Sequence, residues 1–219
     1  MQTREWSKPL LVGAIIGFVL FAAILGYAIV RQKGSQGRAL PARVAIVLVS
    51  RDASDSPTAQ AIAVSEGGKL AFVSPETPVT VPGTSARRLA DAYSFGGGAL
   101  LVSLLPEDAK VDEGAYLAIP EKAWLSTIDP QGFKVDVPQD VEIFDGSDLV
   151  SLKAGEQTLT PTEVAALFRA LPFVDEDLRE PLREQLARKV LAALGGAQSV
   201  TGIESGLSAD AIRQLIGTL

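Results

Sequence analysis

The longest apolar run in the chain is "PLLVGAIIGFVLFAAILGYAIV", Pro9–Val30, which contains no charged residue. At ~1.5 Å per residue, a helix of that length crosses a hydrocarbon core of about 30 Å. The pattern predicts an uncleaved transmembrane anchor after a short N-terminal segment, residues 1–8, because a cleaved leader has a shorter core. "RQKGSQGRALPAR", residues 31–43, reads as a linker. The apolar pattern then changes its period. "RVAIVLVS" is a continuous apolar run of strand length, suited to a strand buried on both faces. "TAQAIAV" and "KLAFVS" flank "SEGG" and predict a hairpin. "VTVPGTS" leads into a helix that Thr84 or Ser85 can cap, and "YSFGGG" ends it. "GALLVSLLPEDA" predicts a further helix, "AYLAIP" a strand, "EKAWLSTID" a short helix, and "FKVDVP" and "VEIF" strands.

Beyond Phe144 the pattern turns helical. In "TPTEVAALFRAL", Thr160 and Glu163 are spaced for a capping box with Pro161 at the first helical position. Val164, Leu167, Phe168 and Leu171 then share a face. "EPLREQLARKVLAALGG" turns Leu182, Leu186, Val190 and Leu194 inward and stops at Gly195–Gly196. A last helix begins at Ser208. The expected class is α/β: one N-terminal transmembrane helix, then a mixed β-sheet flanked by helices. The expected boundaries are an anchor at 9–30, a linker at 31–43, a domain at 44–196 and a helical extension at 197–219.

Composition narrows the chemistry. The 219 residues carry a net charge of -6 and contain neither Cys nor His. Disulfides, thiol catalysis and His-dependent triads are excluded. The acidic balance argues against nucleic acid as a partner, since a basic patch is the usual footprint. Any chemistry must come from Asp, Glu, Arg, Lys, Ser, Thr or Tyr. Arg179 and Arg183 lie one helical turn apart, with Glu180 and Glu184 beside them. That pattern by itself describes a solvated, salt-bridged helix face. Asp175, Glu176 and Asp177 at a helix start suit the helix dipole better than a metal. Trp124, Phe72, Phe133 and Phe168 are first of all core residues, with a lipid pocket as the alternative role.

Several segments occur in an order that resembles the LytR-CpsA-Psr family of the cell envelope. "VAIVLVS" resembles its first strand, and "KLAFVSPET" its strand ending in Ser-Ile-Pro-Arg-Asp. "RRLADAYSFGG" resembles its Lys-Ile-Asn-x-Ala-Tyr-x-x-Gly-Gly segment, with Arg88 in the place of the lysine. "AYLAIPEKAWLSTIDPQGFKVDVP" resembles its Tyr-x-x-x-Asp stretch leading to Val-Asp-Val-Pro. "AGEQTLTPTEVAALFRAL" and "DEDLREPLREQLARKVLAAL" resemble its two arginine-bearing helices. The likeness spans about Val44 to Leu194. It implies an extracytoplasmic domain that binds polyprenyl-pyrophosphate glycopolymers: an apolar pocket for the lipid, arginines for the pyrophosphate, and aspartates with Mg²⁺ for transfer to the wall. Candidate pyrophosphate ligands are Arg88, Arg169, Arg179 and Arg183. The basic residues Arg31, Lys33, Arg38 and Arg43 after the span favour the opposite orientation. The resemblance outweighs them, because large domains translocate largely regardless of flanking charge.

The chain departs from that family at charged positions. Glu76 and Thr77 stand where Arg and Asp are expected, "SPTAQA" has lost an Arg and an Asp, and Leu171 replaces the second arginine after Arg169. Losing one preorganised charge contact can cost ~10²–10³ in rate. These losses predict a degenerate member that binds a polyprenyl lipid or a protein partner without catalysing, with no cofactor and no metal. One alternative is an active, Mg²⁺-assisted glycopolymer transferase with a rearranged site, and it requires Arg51, Asp52, Arg88, Arg169 and Arg183 to converge on one cleft. Another is a ligand-free interaction protein with no apolar cavity.

Overall fold

Strand β1 (Arg43–Arg51) is the run "RVAIVLVSR", and its residues Val44–Ser50 are all buried. In the computed structural model, which describes residues 39–52, 56–145, 148–197 and 200–219, β1 is the centre of a five-stranded sheet. Side chains alternate across a strand. Val44, Ile46 and Leu48 therefore enter one core, and Ala45, Val47 and Val49 enter another on the opposite face. This two-sided burial is why the run is apolar throughout.

β2 (Pro57–Glu66) pairs antiparallel with β1, and β3 (Lys69–Val73) with β2. Their two-residue turn uses Gly67 and Gly68, both at positive φ (56° and 79°), as the predicted hairpin requires. β4 (Tyr116–Pro120) runs parallel to β1 on its other side, and β9 (Glu204–Ser205) closes that edge antiparallel to β4. The order is β3-β2-β1-β4-β9. Helix α1 (Leu89–Ser103) covers the second core, while α2 (Glu121–Leu125), α3 (Pro161–Ala170), α4 (Glu176–Gly195) and α5 (Ala209–Ile216) contribute to the first. The mixed sheet flanked by helices agrees with the expected class.

Some local expectations are corrected. Neither Thr84 nor Ser85 caps α1; the cap is Arg88, whose N–H donates to Asp91 Oδ2 (3.4 Å). Thr84 is occupied in its own turn with Val81 and Ala86. The chain stays extended to Arg88 because Val79 N–H bonds to the Arg87 carbonyl and Leu89 N–H to the Thr77 carbonyl. The glycine run ends the first helical stretch as expected: Gly96 and Gly97 are non-helical, and a second helical stretch follows them within Leu89–Ser103. Past Phe144 the structure has two strands that the pattern does not predict. β6 (Val141–Asp145) pairs with β7 (Asp148–Leu152), and β5 (Phe133–Val137) with β8 (Gly155–Leu159).

The helical predictions agree with the structure where the period is strong. Thr160 and Glu163 form the capping box of α3, with Pro161 in its first turn. Val164, Leu167, Phe168 and Leu171 are buried, as are Leu182, Leu186, Val190 and Leu194 of α4. Ser208 caps α5 through a 3.2 Å bond from Ala211 N–H. Residues 39–219 form one compact unit that includes the C-terminal segment. The expected span Pro9–Val30, the segment before it and residues 31–38 lie outside the described residues. Among the described residues, no helix is long and apolar enough to cross a membrane.

Candidate active site

Ligands of open α/β sheets gather beyond the carboxyl ends of parallel strands. A cleft of about 820 Å³ opens there, beyond the end of β1. Arg51 and Asp52 come from the end of β1, Arg88 from the start of α1, Arg169 from the last turn of α3, and Arg183 from the middle of α4. All five line the cleft. Glu76 and Glu142 line it too, so four arginines face three carboxylates.

The carboxylates hold the arginines in place. Glu76 bridges two of them: Oε2 lies 3.1 Å from Arg88 Nη1 and Oε1 lies 3.4 Å from Arg183 Nη2. Arg183 also pairs with Glu180, and Arg88 with Asp91 at 2.6 Å. The Asp91 hydrogen bond, opposed by partial burial and reinforced by Glu76, raises the Arg88 pKa above its already high value. Arg169 Nη1 donates to both oxygens of Glu121, at 3.1 and 3.0 Å, and the Ser50 hydroxyl donates to Glu121 Oε2. Ion pairing offsets the cost of withdrawing these charges from water.

Arg183 does not belong to a solvated helix face. It is only 5 % exposed and aims into the cleft, whereas Arg188 and Glu184 form the surface pair on the same helix. Arg179 does not line the cleft. Its Nη2 donates to the carbonyls of Pro172 and Val174 at 3.2 and 3.1 Å, which fixes the turn beside Phe173. Of the expected pyrophosphate ligands, the cleft gathers Arg88, Arg169 and Arg183 but not Arg179, and Arg51, expected only for the active-transferase alternative, lines it with them.

The cleft also has an apolar side, formed by Ile143, Phe144, Phe168, Pro172 and Phe173. Phe144 and Phe173 are 68 % and 75 % exposed, a large amount for aromatic side chains beside a cavity. Sequence reasoning reached only Phe168; Phe144 and Phe173 fall outside any periodic run that would single them out. Trp124 is a core residue, edge-on to Phe168 at 5.7 Å. Phe72 packs against the core and carries the Arg188 guanidinium 4.7 Å above its ring. Phe133 also packs against the core. An open cleft with an apolar wall disagrees with the ligand-free alternative.

No family model matches the sequence, and no curated protein matches it significantly. Solved structures do match. TagV of B. subtilis is 15% identical, with 80% of this chain and 78% of that chain covered and a TM-score of 0.54. TagT bound to LI-WTA is 18% identical, with 80% and 74% covered and a TM-score of 0.53. Protein gbs0355 from Streptococcus agalactiae is 13% identical, with 80% and 73% covered and a TM-score of 0.58. The fold is that of LytR-CpsA-Psr proteins.

The expectation of a degenerate domain that binds without catalysing is overturned. Proteins with this LytR-CpsA-Psr fold include TagT, solved in complex with LI-WTA and with LIIa-WTA. The substitutions do not scatter the charged side chains either: Arg51, Asp52, Arg88, Arg169 and Arg183 all line one cleft.

Among the described residues, no group of three or more His, Cys, Asp or Glu is gathered to hold a metal ion. Asp175, Glu176 and Asp177 form only the cap and first turn of α4. Mg²⁺ commonly takes just one or two carboxylates together with substrate phosphates and waters. Asp52 at the cleft fits that lesser role.

Proposed function

We propose that the chain is a membrane-anchored transferase of the cell envelope that moves a glycopolymer from a polyprenyl-pyrophosphate carrier to the wall. The observation that carries this reading is the convergence of Arg51, Arg88, Arg169 and Arg183, from four separate elements, on a cleft with an aromatic wall. Phosphoryl transfer is largely positioning and charge stabilisation, and planar guanidinium forks match phosphate oxygens. Arg88, Arg169 and Arg183 hold the pyrophosphate. Phe144, Phe168 and Phe173 receive the first isoprene units. Asp52 would hold a Mg²⁺ shared with the phosphates, and that ion would neutralise developing charge. The TagT complexes with LI-WTA and LIIa-WTA support the same substrate class. Pro9–Val30 anchors the domain on the outer side of the cell membrane. Arg179 acts on the loop and not on the substrate.

The test uses the full chain extracted in detergent. Equilibrium binding of polyprenyl pyrophosphate is measured first, then Mg²⁺-dependent transfer. R88A and R183A each weaken binding about tenfold or more, the scale expected for one desolvated charge-assisted contact. R183K keeps the charge and the fold but loses the fork, and recovers only part of the affinity. E76Q removes the carboxylate between two arginines and tightens binding about tenfold, equivalent to ~1.4 kcal/mol. Equal binding by wild type, R88A, R169A and R183A would remove the pyrophosphate assignment. A wild type that binds but transfers nothing with Mg²⁺ would remove the transferase.

A further inference from the structure

A second cavity of about 630 Å³ lies where β4 ends, next to the end of β1. It shares Arg51, Asp52 and Arg169 with the main cleft. Its remaining wall differs in chemistry: Ser50, Pro57, Tyr93, Pro120, Glu121 and Lys122 supply polar groups between small flat faces, and none of Phe144, Phe168 and Phe173 reaches it. Alternating polar groups and flat apolar faces match the hydroxyls and C–H faces of a carbohydrate. They do not match a polyprenyl chain.

Glu121 is the carboxylate that lines this groove but not the main cleft. It follows β4 directly at the start of α2, and its side chain is 28% exposed. Arg169 and the Ser50 hydroxyl, itself on a residue only 2 % exposed, fix its orientation. A carboxylate offers about four acceptor positions, so Glu121 retains capacity for a ligand hydroxyl. Arg169 lines both cavities. A phosphate held by Arg169 in the main cleft is therefore one side chain away from the Glu121 carboxylate in the groove.

We infer that this groove is the acceptor site, taking a glycan hydroxyl, and that Glu121 receives the hydroxyl's proton. This rests on the transferase reading above. In the step, the acceptor oxygen forms a bond to the phosphorus that carries the glycopolymer. The bond from that phosphorus to the bridging oxygen of polyprenyl phosphate breaks, and the electron pair leaves with polyprenyl phosphate. The proton moves to the Glu121 carboxylate. The product is a phosphodiester between glycopolymer and acceptor. Lys122, exposed at the groove, contacts the glycan outside the reacting hydroxyl.

The experiment uses the full chain in detergent and a soluble β-1,4-linked N-acetylglucosamine oligosaccharide as the acceptor probe. Saturation-transfer NMR reads oligosaccharide binding without turnover, and transfer kinetics follow. Wild type binds the oligosaccharide. Lys122→Glu weakens that binding about fivefold or more and leaves polyprenyl pyrophosphate binding unchanged. Glu121→Gln keeps oligosaccharide affinity, lowers kcat about 100-fold or more, and removes the acidic limb of the pH–rate profile, as loss of a general base requires. Glu121→Asp recovers part of the rate. The inference is overturned if wild type does not bind the oligosaccharide, if Lys122→Glu binds it equally well, or if Glu121→Gln keeps wild-type kcat. Absence of polyprenyl pyrophosphate binding in wild type would instead bring down the transferase reading.

Discussion

Gly97 has a φ of +61°, and a Cβ added there would lie 2.7 Å from Glu204 Oε1. Glu204 cannot easily retreat. It accepts hydrogen bonds from the Tyr93 hydroxyl (2.8 Å), the Tyr116 hydroxyl (3.1 Å) and the Gly98 N–H (3.0 Å). The glycines after Tyr93 therefore break a helix and also seat a carboxylate from the far end of the chain. Gly83, at φ +76°, has nothing within 4 Å of an added Cβ. Gly83→Ala is expected to cost about 1 kcal/mol, from backbone strain alone, and Gly97→Ala about 3 kcal/mol, from strain plus the clash. Urea midpoints of the two variants check the difference. Tyr93 has a second consequence. Burial first, then the hydrogen bond and charge of Glu204, push its hydroxyl above the ordinary 10.0. The folded state thus retains a proton that the unfolded state releases. That stability is fully present below about pH 10 and declines as pH rises above it. Tyr93→Phe should flatten the alkaline decline in a pH series of unfolding free energies.

At the scale of elements, α3 links fold and site. Its capping box holds the first turn, with Thr160 N–H on Glu163 Oε2 at 2.8 Å, and its last turn carries Arg169 into the cleft. Thr160→Ala is expected to lower stability by about 1 kcal/mol. Polyprenyl pyrophosphate affinity should stay unchanged, because the cap is at the end away from Arg169. Denaturant melts and binding isotherms on the same variant separate the two effects. α3 and α4 are legible in the sequence because their apolar spacing repeats every three or four residues, so local period reports burial. β7 and β8 are not. β8 pairs with β5 across the intervening β6 and β7, and only its Leu159 is buried; β7 pairs with the adjacent β6 but is too short and too exposed, with Leu149 65 % exposed, to show a clear apolar run. The same limit applies to Arg179 and Arg183. They are four residues apart on one helix, yet one braces a turn and the other enters the cleft, as the neighbours packed on α4 dictate.

At the scale of the molecule, the last residues complete the domain. β9 extends the central sheet, and Leu215 of α5 is 1 % exposed against the first core. Leu215→Ala is expected to cost about 2–5 kcal/mol. Removing the chain after Gly196 should destabilise further, since it also deletes Glu204 from the Tyr93–Tyr116 seat. Thermal unfolding of both variants tests this, with a single cooperative transition expected for wild type. The linear pattern of the chain was sufficient for the two-faced burial of β1, the β2–β3 turn, the capping box of α3 and the apolar faces of α3 and α4. Each depends on side chains within a few residues of one another. The substituted charges were legible too, but not their effect. Arg51, Arg88, Arg169 and Arg183 are distant along the chain and meet only because the sheet and its covering helices bring three element ends and the middle of α4 to one place. Glu121 likewise gains meaning from Ser50 and Arg169, and Glu204 from Tyr93, 111 positions away. Contacts between such remote residues carry no periodic trace, because their spacing is set by packing and not by the rise of one helix or strand.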